Sequence, residues 1–134
     1  MDQSALAGTF TKAAAAERLK VTINKDALLK GFFFRSDHFP FARAGVPGLS
    51  LESGLTFVGK PAEYGQKLKD EYTEKRYHQP SDEILPWFNY DGAAQQLRVI
   101  VRTAVAVADA NRQPQWSPES EFREAGKKRE AKQD

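Results

Sequence analysis

Residues 4–23 read SALAGTFTKAAAAERLKVTI, and the fold turns on how the apolar spacing changes inside that stretch. Leu6, Phe10, Ala13 and Ala14 recur at helical spacing, and the run Ala13–Ala16 has high helix propensity. A helix is therefore expected over 4–18. From Leu19 the period drops to two, with Leu19, Val21 and Ile23 alternating with Lys20, Thr22 and Asn24. That alternation predicts a short half-buried strand over 19–23. Helix followed by strand is an α/β signature.

The residues that follow extend the same expectation. A polar connection over 24–30 leads into Phe32-Phe33-Phe34, a bulky run too brief for a helix, which predicts a strand over 32–35. Those phenylalanines, with Phe39 and Phe41, suit a core better than a substrate pocket. Ser36 is placed to cap a short helix over Asp37–Ala44. Pro40 falls in its first turn, where a missing donor costs little, and Gly45 is a plausible stop. Residues 46–51, Val-Pro-Gly-Leu-Ser-Leu, form a third strand candidate with Pro47 at its beginning. Residues 52–90 carry many turn formers and charges, as a binding loop does, with a short helix over Glu63–Lys75.

The clearest element is 91–110. Asp91 suits an N-cap, and Ala93, Leu97, Ile100, Ala104 and Val107/Ala108 fall on one face, with Arg98, Arg102 and Asp109 away from it. This pattern predicts a helix laid on a sheet. Past Trp116 the composition shifts: residues 119–134 hold ten charges and one large apolar residue, Phe122. The division expected is a body over 1–116 and a charged tail over 117–134, mobile or wrapped on the surface.

Composition narrows the function classes. At 134 residues, with 40% hydrophobic and 28% charged, the chain matches an ordinary globular domain and not a disordered or collagen-like one. A net charge of +2 gives no electrostatic footprint for nucleic acid or an acidic membrane. No run of 18 apolar residues exists to span a bilayer. With no cysteine, disulfides and thiolate metal sites are excluded. The first residues, Met1-Asp2-Gln3-Ser4, are not followed by a basic segment and an apolar core, so no secretory signal is expected on this chain.

Two stretches concentrate chemistry: Arg35-Ser36-Asp37-His38-Phe39-Pro40-Phe41 and Tyr77-His78-Gln79-Pro80-Ser81-Asp82-Glu83. Each sets a histidine near a carboxylate. A neutral imidazole ligates zinc, and a carboxylate fixes its tautomer through the other ring nitrogen. Isolated histidines are also common as plain hydrogen-bonded surface residues, and Asp37 suits a helix N-terminus equally well. No HExxH pair, CxxC, EF-hand loop or glycine-rich phosphate loop is present, and Ser50 to Gly54 is not a GxSxG elbow. A metal-independent hydrolase using Ser36 or Ser81 with His38 or His78 would require serine, base and acid to converge in space.

The ordered set SDHFPFARAGVP (36–47), VGKP (58–61) and YHQPSDE (77–83) resembles the C-terminal half of the co-catalytic di-zinc exopeptidases. That family includes bacterial aminopeptidases, glutamate carboxypeptidase-like proteins and glutaminyl cyclases. The segment from Trp116-Ser117-Pro118 to Glu121-Phe122-Arg123 also resembles the end of its larger bacterial members, so the likeness covers about residues 4–123. The resemblance implies part of a three-layer α/β sandwich with a mixed sheet. It implies that His78 is the last protein ligand to one zinc and that Tyr77 stabilises the oxyanion of the tetrahedral intermediate. It also implies that Ser36, Asp37, His38 and Asp82 hold substrate or orient the metal's surroundings. A peptide would be the substrate and two zinc ions the cofactor of the complete enzyme, whose parent protein could be exported.

The same resemblance marks a departure. The family's other ligands, a histidine, two aspartates and a glutamate, and its general-base glutamate precede the part matched here. Zinc catalysis ordinarily needs three protein ligands and an open position, so this chain alone is expected to be silent as a peptidase. Half of an α/β sheet would also leave an open edge. Self-association, or union with the missing upstream half, is therefore expected.

Overall fold

The computed structural model describes residues 4–24 and 29–131, and no β-strand forms among them. The elements are α1 (Ala5–Ala16), a 3-10 turn (Phe32–Arg35), α2 (His38–Arg43), α3 (Tyr64–Lys75), α4 (Asp91–Ala108) and α5 (Arg123–Glu130). Among the described residues the only bridge pairing is a single one between Ser4 and Trp116. This overturns the expected α/β sandwich with a mixed sheet. Residues 25–28 of the expected connection lie outside the described residues.

The three expected strands fail for identifiable local reasons. At 19–23 the helix exit takes precedence. Arg18 adopts a left-handed φ of 58°, its amide donates to the Ala15 carbonyl, and the Leu19 amide donates to Ala14. These two bonds make a Schellman closure, in which the residue after the left-handed position folds back onto the helix. Leu19 thus packs against the core as part of the helix end, while Val21 and Ile23 stay exposed. Over 32–35 the chain coils into a 3-10 turn after Gly31, whose φ is 63°. Residues 46–51 run without ladder partners among the described residues. A strand needs a second edge, and alternation alone does not supply one.

The chain divides into two units, the first formed by residues 1–51 and 93–134 and the second by residues 52–92. The first unit holds two small cores. In one, Ala13 and Ala14 of α1 meet Val99 of α4, with Phe10 and Leu19 packed around them. Glu17 fastens the end of α1: its carboxylate accepts from Arg98 Nε at 2.8 Å and Arg102 Nε at 2.9 Å. Gln95 Nε2 donates to the Glu17 carbonyl at 2.7 Å, satisfying one of the carbonyls a helix leaves open at its C-terminus.

The buried side of α4 is consequently not the predicted one. Val99 and Thr103 are buried, and the expected core residues Leu97 and Ile100 are 59% and 43% exposed. The predicted face lacks the sheet it was meant to cover. Helix–helix packing through α1 selects the Val99 side instead, which the two arginines reinforce.

In the second core Ala42, Trp116 and Phe122 are buried, with Phe33 and Phe39 against them. The end of α2 is closed by the same Schellman pair of bonds, Gly45 to Ala42 and Val46 to Phe41, with Gly45 at φ 87°. A Cβ at Gly45 would collide with the Ala125 carbonyl, so the glycine is required both for its backbone angle and for α5 to lie against it. Trp116 Nε1 donates to the Gly45 carbonyl at 3.2 Å, and Arg123 Nη1 donates to the Trp116 carbonyl at 2.8 Å. The charged C-terminal stretch is thus anchored by Phe122 and helical from Arg123.

The second unit has no buried hydrophobic side chain among the described residues. It centres on α3, where Gly65 is buried because a Cβ there would strike the Leu55 backbone. Aromatic contacts hold its surface together: Phe57 meets Tyr64 edge-on at 5.4 Å, and the Arg76 guanidinium lies 5.1 Å over Trp87.

Candidate functional site

The second histidine stretch is positioned by the exit of α3. The Tyr72 carbonyl accepts from both Arg76 and Tyr77 amides, and Ser81 Oγ donates to the Lys75 carbonyl at 2.6 Å. These bonds use up carbonyls at the end of the helix and turn the chain sharply. His78 takes up that turn with a left-handed φ of 57°, which is uncommon for a residue with a side chain. Its ring stacks on Tyr77 with centroids 4.0 Å apart and planes 20° from parallel. Both side chains are exposed, so the imidazole is held over open space and not wedged in an interior.

Asp82 has a defined partner that sequence reasoning missed. Tyr72 Oη donates to its Oδ2 at 3.0 Å. Donation to that carboxylate raises the Tyr72 phenol above its ordinary value, because losing the proton would set two negative charges together. Tyr72 also meets Tyr77 edge-on at 6.1 Å, so Tyr72, Tyr77, His78 and Asp82 form one exposed cluster. The signal available in the sequence was the five-residue spacing from Tyr72 to Tyr77, which places both at the helix exit.

Ser36, Asp37 and His38 lie in the first unit. Ser36 does not cap α2 with its side chain; its Oγ donates back to the Phe32 carbonyl at 2.7 Å. Asp37 occupies the N-cap position with helical backbone angles and makes no capping bond. His38 packs edge-on to Phe33 at 4.5 Å, and its Nε2 is buried without a hydrogen-bond partner. The hydroxyls of Ser36 and Ser81 both donate to backbone carbonyls. Two shallow hollows lie elsewhere, one beside Ser4, Trp116 and Arg123 and one between Ala13 and Val101; none of the six predicted site residues lines either.

A zinc site can be tested against this geometry. Hydrolytic zinc takes three protein ligands and keeps one position open. Among the described residues there is no group of three or more histidine, aspartate or glutamate side chains that could hold a metal ion. His78 together with its neighbours therefore does not fit a catalytic zinc by itself.

Against that geometry stands a family match. Residues 2–104, which include both histidine stretches, match peptidase family M28. The chain belongs to peptidase family M28. Members of that family are typically zinc-dependent, so a metallopeptidase-type function applies to this M28 chain as a class. No curated protein and no solved structure matches it. The M28 match spans the Tyr77-His78 pair and the exposed helix exit that carries it.

Proposed function

We propose that this chain is the C-terminal segment of an M28 aminopeptidase domain, with His78 as one ligand of a zinc site completed by residues from another segment of polypeptide. The observation that supports the reading most directly is the imidazole itself. It lies inside the family match, is exposed, and is held at a strained turn over its own Tyr77. Strained backbone of this kind clusters at functional sites. Tyr77, whose ring is stacked against that imidazole, is on this reading the donor toward charge that appears only in the transition state. Asp82 acts at one remove, fixing Tyr72 and through it the aromatic surface on which Tyr77 rests.

The experiment adds the upstream portion of an M28 peptidase domain in trans and measures bound zinc and release of amino-acid anilides. The chain alone is expected to release none. The assembled pair is expected to bind zinc and hydrolyse, and His78→Ala is expected to lower zinc content. Tyr77→Phe is expected to leave zinc in place while lowering turnover about 10²–10³-fold, the usual cost of one oxyanion donor. Undiminished zinc in His78→Ala overturns the ligand assignment.

A further inference from the structure

The turn that carries His78 is held without a core beneath it. The second unit buries no hydrophobic side chain among the described residues, so apolar packing does not fix residues 76–82. His78 nonetheless keeps a left-handed φ of 57°, a conformation that a residue with a side chain holds only where its surroundings over-determine it. Polar bonds and ring contacts must supply that constraint.

Within the turn, the Gln79 amide donates to the Arg76 carbonyl at 2.8 Å and the Asp82 amide to the Gln79 carbonyl at 3.0 Å. Those bonds shape the turn but do not attach it to α3. Attachment comes at its two ends. At the near end the Tyr72 carbonyl accepts from the Arg76 and Tyr77 amides, both at 2.9 Å. At the far end Ser81 Oγ donates to the Lys75 carbonyl, and Tyr72 Oη donates to Asp82 Oδ2 at 3.0 Å. Between the two ends the Tyr72 ring lies edge-on to Tyr77, on which the imidazole is stacked. One residue thus grips the turn before His78, after it, and at the ring that supports it. Its hydroxyl bond spans ten residues and closes the whole turn on the helix, removing chain freedom that the local bonds leave.

We propose that Tyr72 is a positioning residue for His78: its hydroxyl, bonded to Asp82, clamps the 76–82 turn and sets the imidazole over Tyr77. The clamp is a property of this chain alone. The use of that fixed orientation, presentation of a ligand imidazole, rests on the peptidase reading.

The test is proton magnetic resonance of the full chain without added metal. An imidazole stacked 4.0 Å from a phenol ring lies in that ring's shielding region, so its carbon-bound protons resonate upfield of free histidine. The chain holds two histidines, and the signals that vanish in His78→Ala are those of His78. Tyr72→Phe keeps the ring and removes the bond. It should move the His78 signals toward the free-histidine position and speed exchange of the amides at 79 and 82 several-fold, with helix content by circular dichroism unchanged. Asp82→Ala should do the same, and Tyr72→Phe with Asp82→Ala should do no more, since each removes one and the same bond. Asp82→Asn keeps an acceptor oxygen and should retain the wild-type signals. Should Tyr72→Phe lose helix content, the two Asp82 variants decide, because that residue lies outside α3. Wild-type His78 signals in Tyr72→Phe or in Asp82→Ala overturn the proposal, and so does an Asp82→Asn variant that behaves like Asp82→Ala. Failure of the peptidase reading shows separately, as undiminished zinc in His78→Ala of the assembled pair, a result that leaves these signals untouched.

Discussion

The two units hold their structure by different means. In the first, side chains are buried where helices meet: Ala13 and Ala14 against Val99, Ala42 and Gly45 beneath Trp116 and Phe122. In the second, α3 and its flanking turns meet through exposed rings and through hydroxyl-to-carbonyl bonds, with no buried hydrophobic side chain among the described residues. Apolar burial is the main favourable term in folding, so the first unit should carry most of the stability. The second, which holds Tyr77, His78 and Asp82, is the better candidate for local opening. A candidate ligand thus lies in the less stable unit, as binding segments often do.

The tryptophans offer the strongest way to break this comparison, because one sits in each unit. Trp116 is 2% exposed, and Trp116→Ala should cost about 3–5 kcal/mol in urea unfolding. Trp87 is 63% exposed and touches the Arg76 guanidinium and the Phe88 ring, so Trp87→Ala should cost about 1 kcal/mol or less. Equal losses would show that the second unit hides a core of its own.

Acid sharpens the comparison within the first unit. Hydrogen bonds from Arg98 and Arg102 hold the Glu17 carboxyl below its ordinary value. A carboxyl depressed in the folded state contributes stability in full above its unfolded value. That contribution is lost as pH falls through the lowered folded value. Melting temperature of the wild type should therefore fall on acidification below about pH 4.3, the ordinary glutamate value. Glu17→Gln should start lower at neutral pH and lose less over the same window. Parallel curves would show that the carboxylate is not what fastens α1 to α4.

The smallest expected effect compares two helix ends that use the same closure. α2 places Gly45 at its left-handed position, whereas α1 places Arg18 there. A side chain at that angle costs about 1 kcal/mol relative to glycine. Arg18→Gly should accordingly raise the unfolding free energy by up to about that amount, part of it offset by the greater freedom of glycine when unfolded. Gly45→Ala is no mirror of it and should destabilise by more than that amount, since a Cβ there also collides with the Ala125 backbone.

Much of the local structure was legible in the sequence. Asp91 and the following apolar spacing marked α4, the alanine run marked α1, and Gly45 marked the end of α2. The sheet was misread at Leu19 because the same residue that begins an alternating pattern also completes a Schellman closure, and period alone does not separate the two. The face of α4 was misread because Leu97 and Ile100 were assigned a sheet to cover. Of the candidate site, the Tyr77-His78 pair was visible as a motif. Tyr72 was not, since its link to Asp82 spans ten residues and depends on how α3 ends.

The sequence by itself determined where α1, α2, α3 and α4 begin and stop, to within two residues, and which family the motifs resemble; it did not show α5 or the 3-10 turn. Propensity, capping and spacing are properties of neighbours along the chain. Only the tertiary structure decided which helix face is buried, that the extended segments lack ladder partners among the described residues, and that His78 rides on Tyr77 in the open. Burial and ladder bonding depend on what else is present in space, and residues far apart in sequence supply it: Glu17 for Arg98, Gly45 for Trp116.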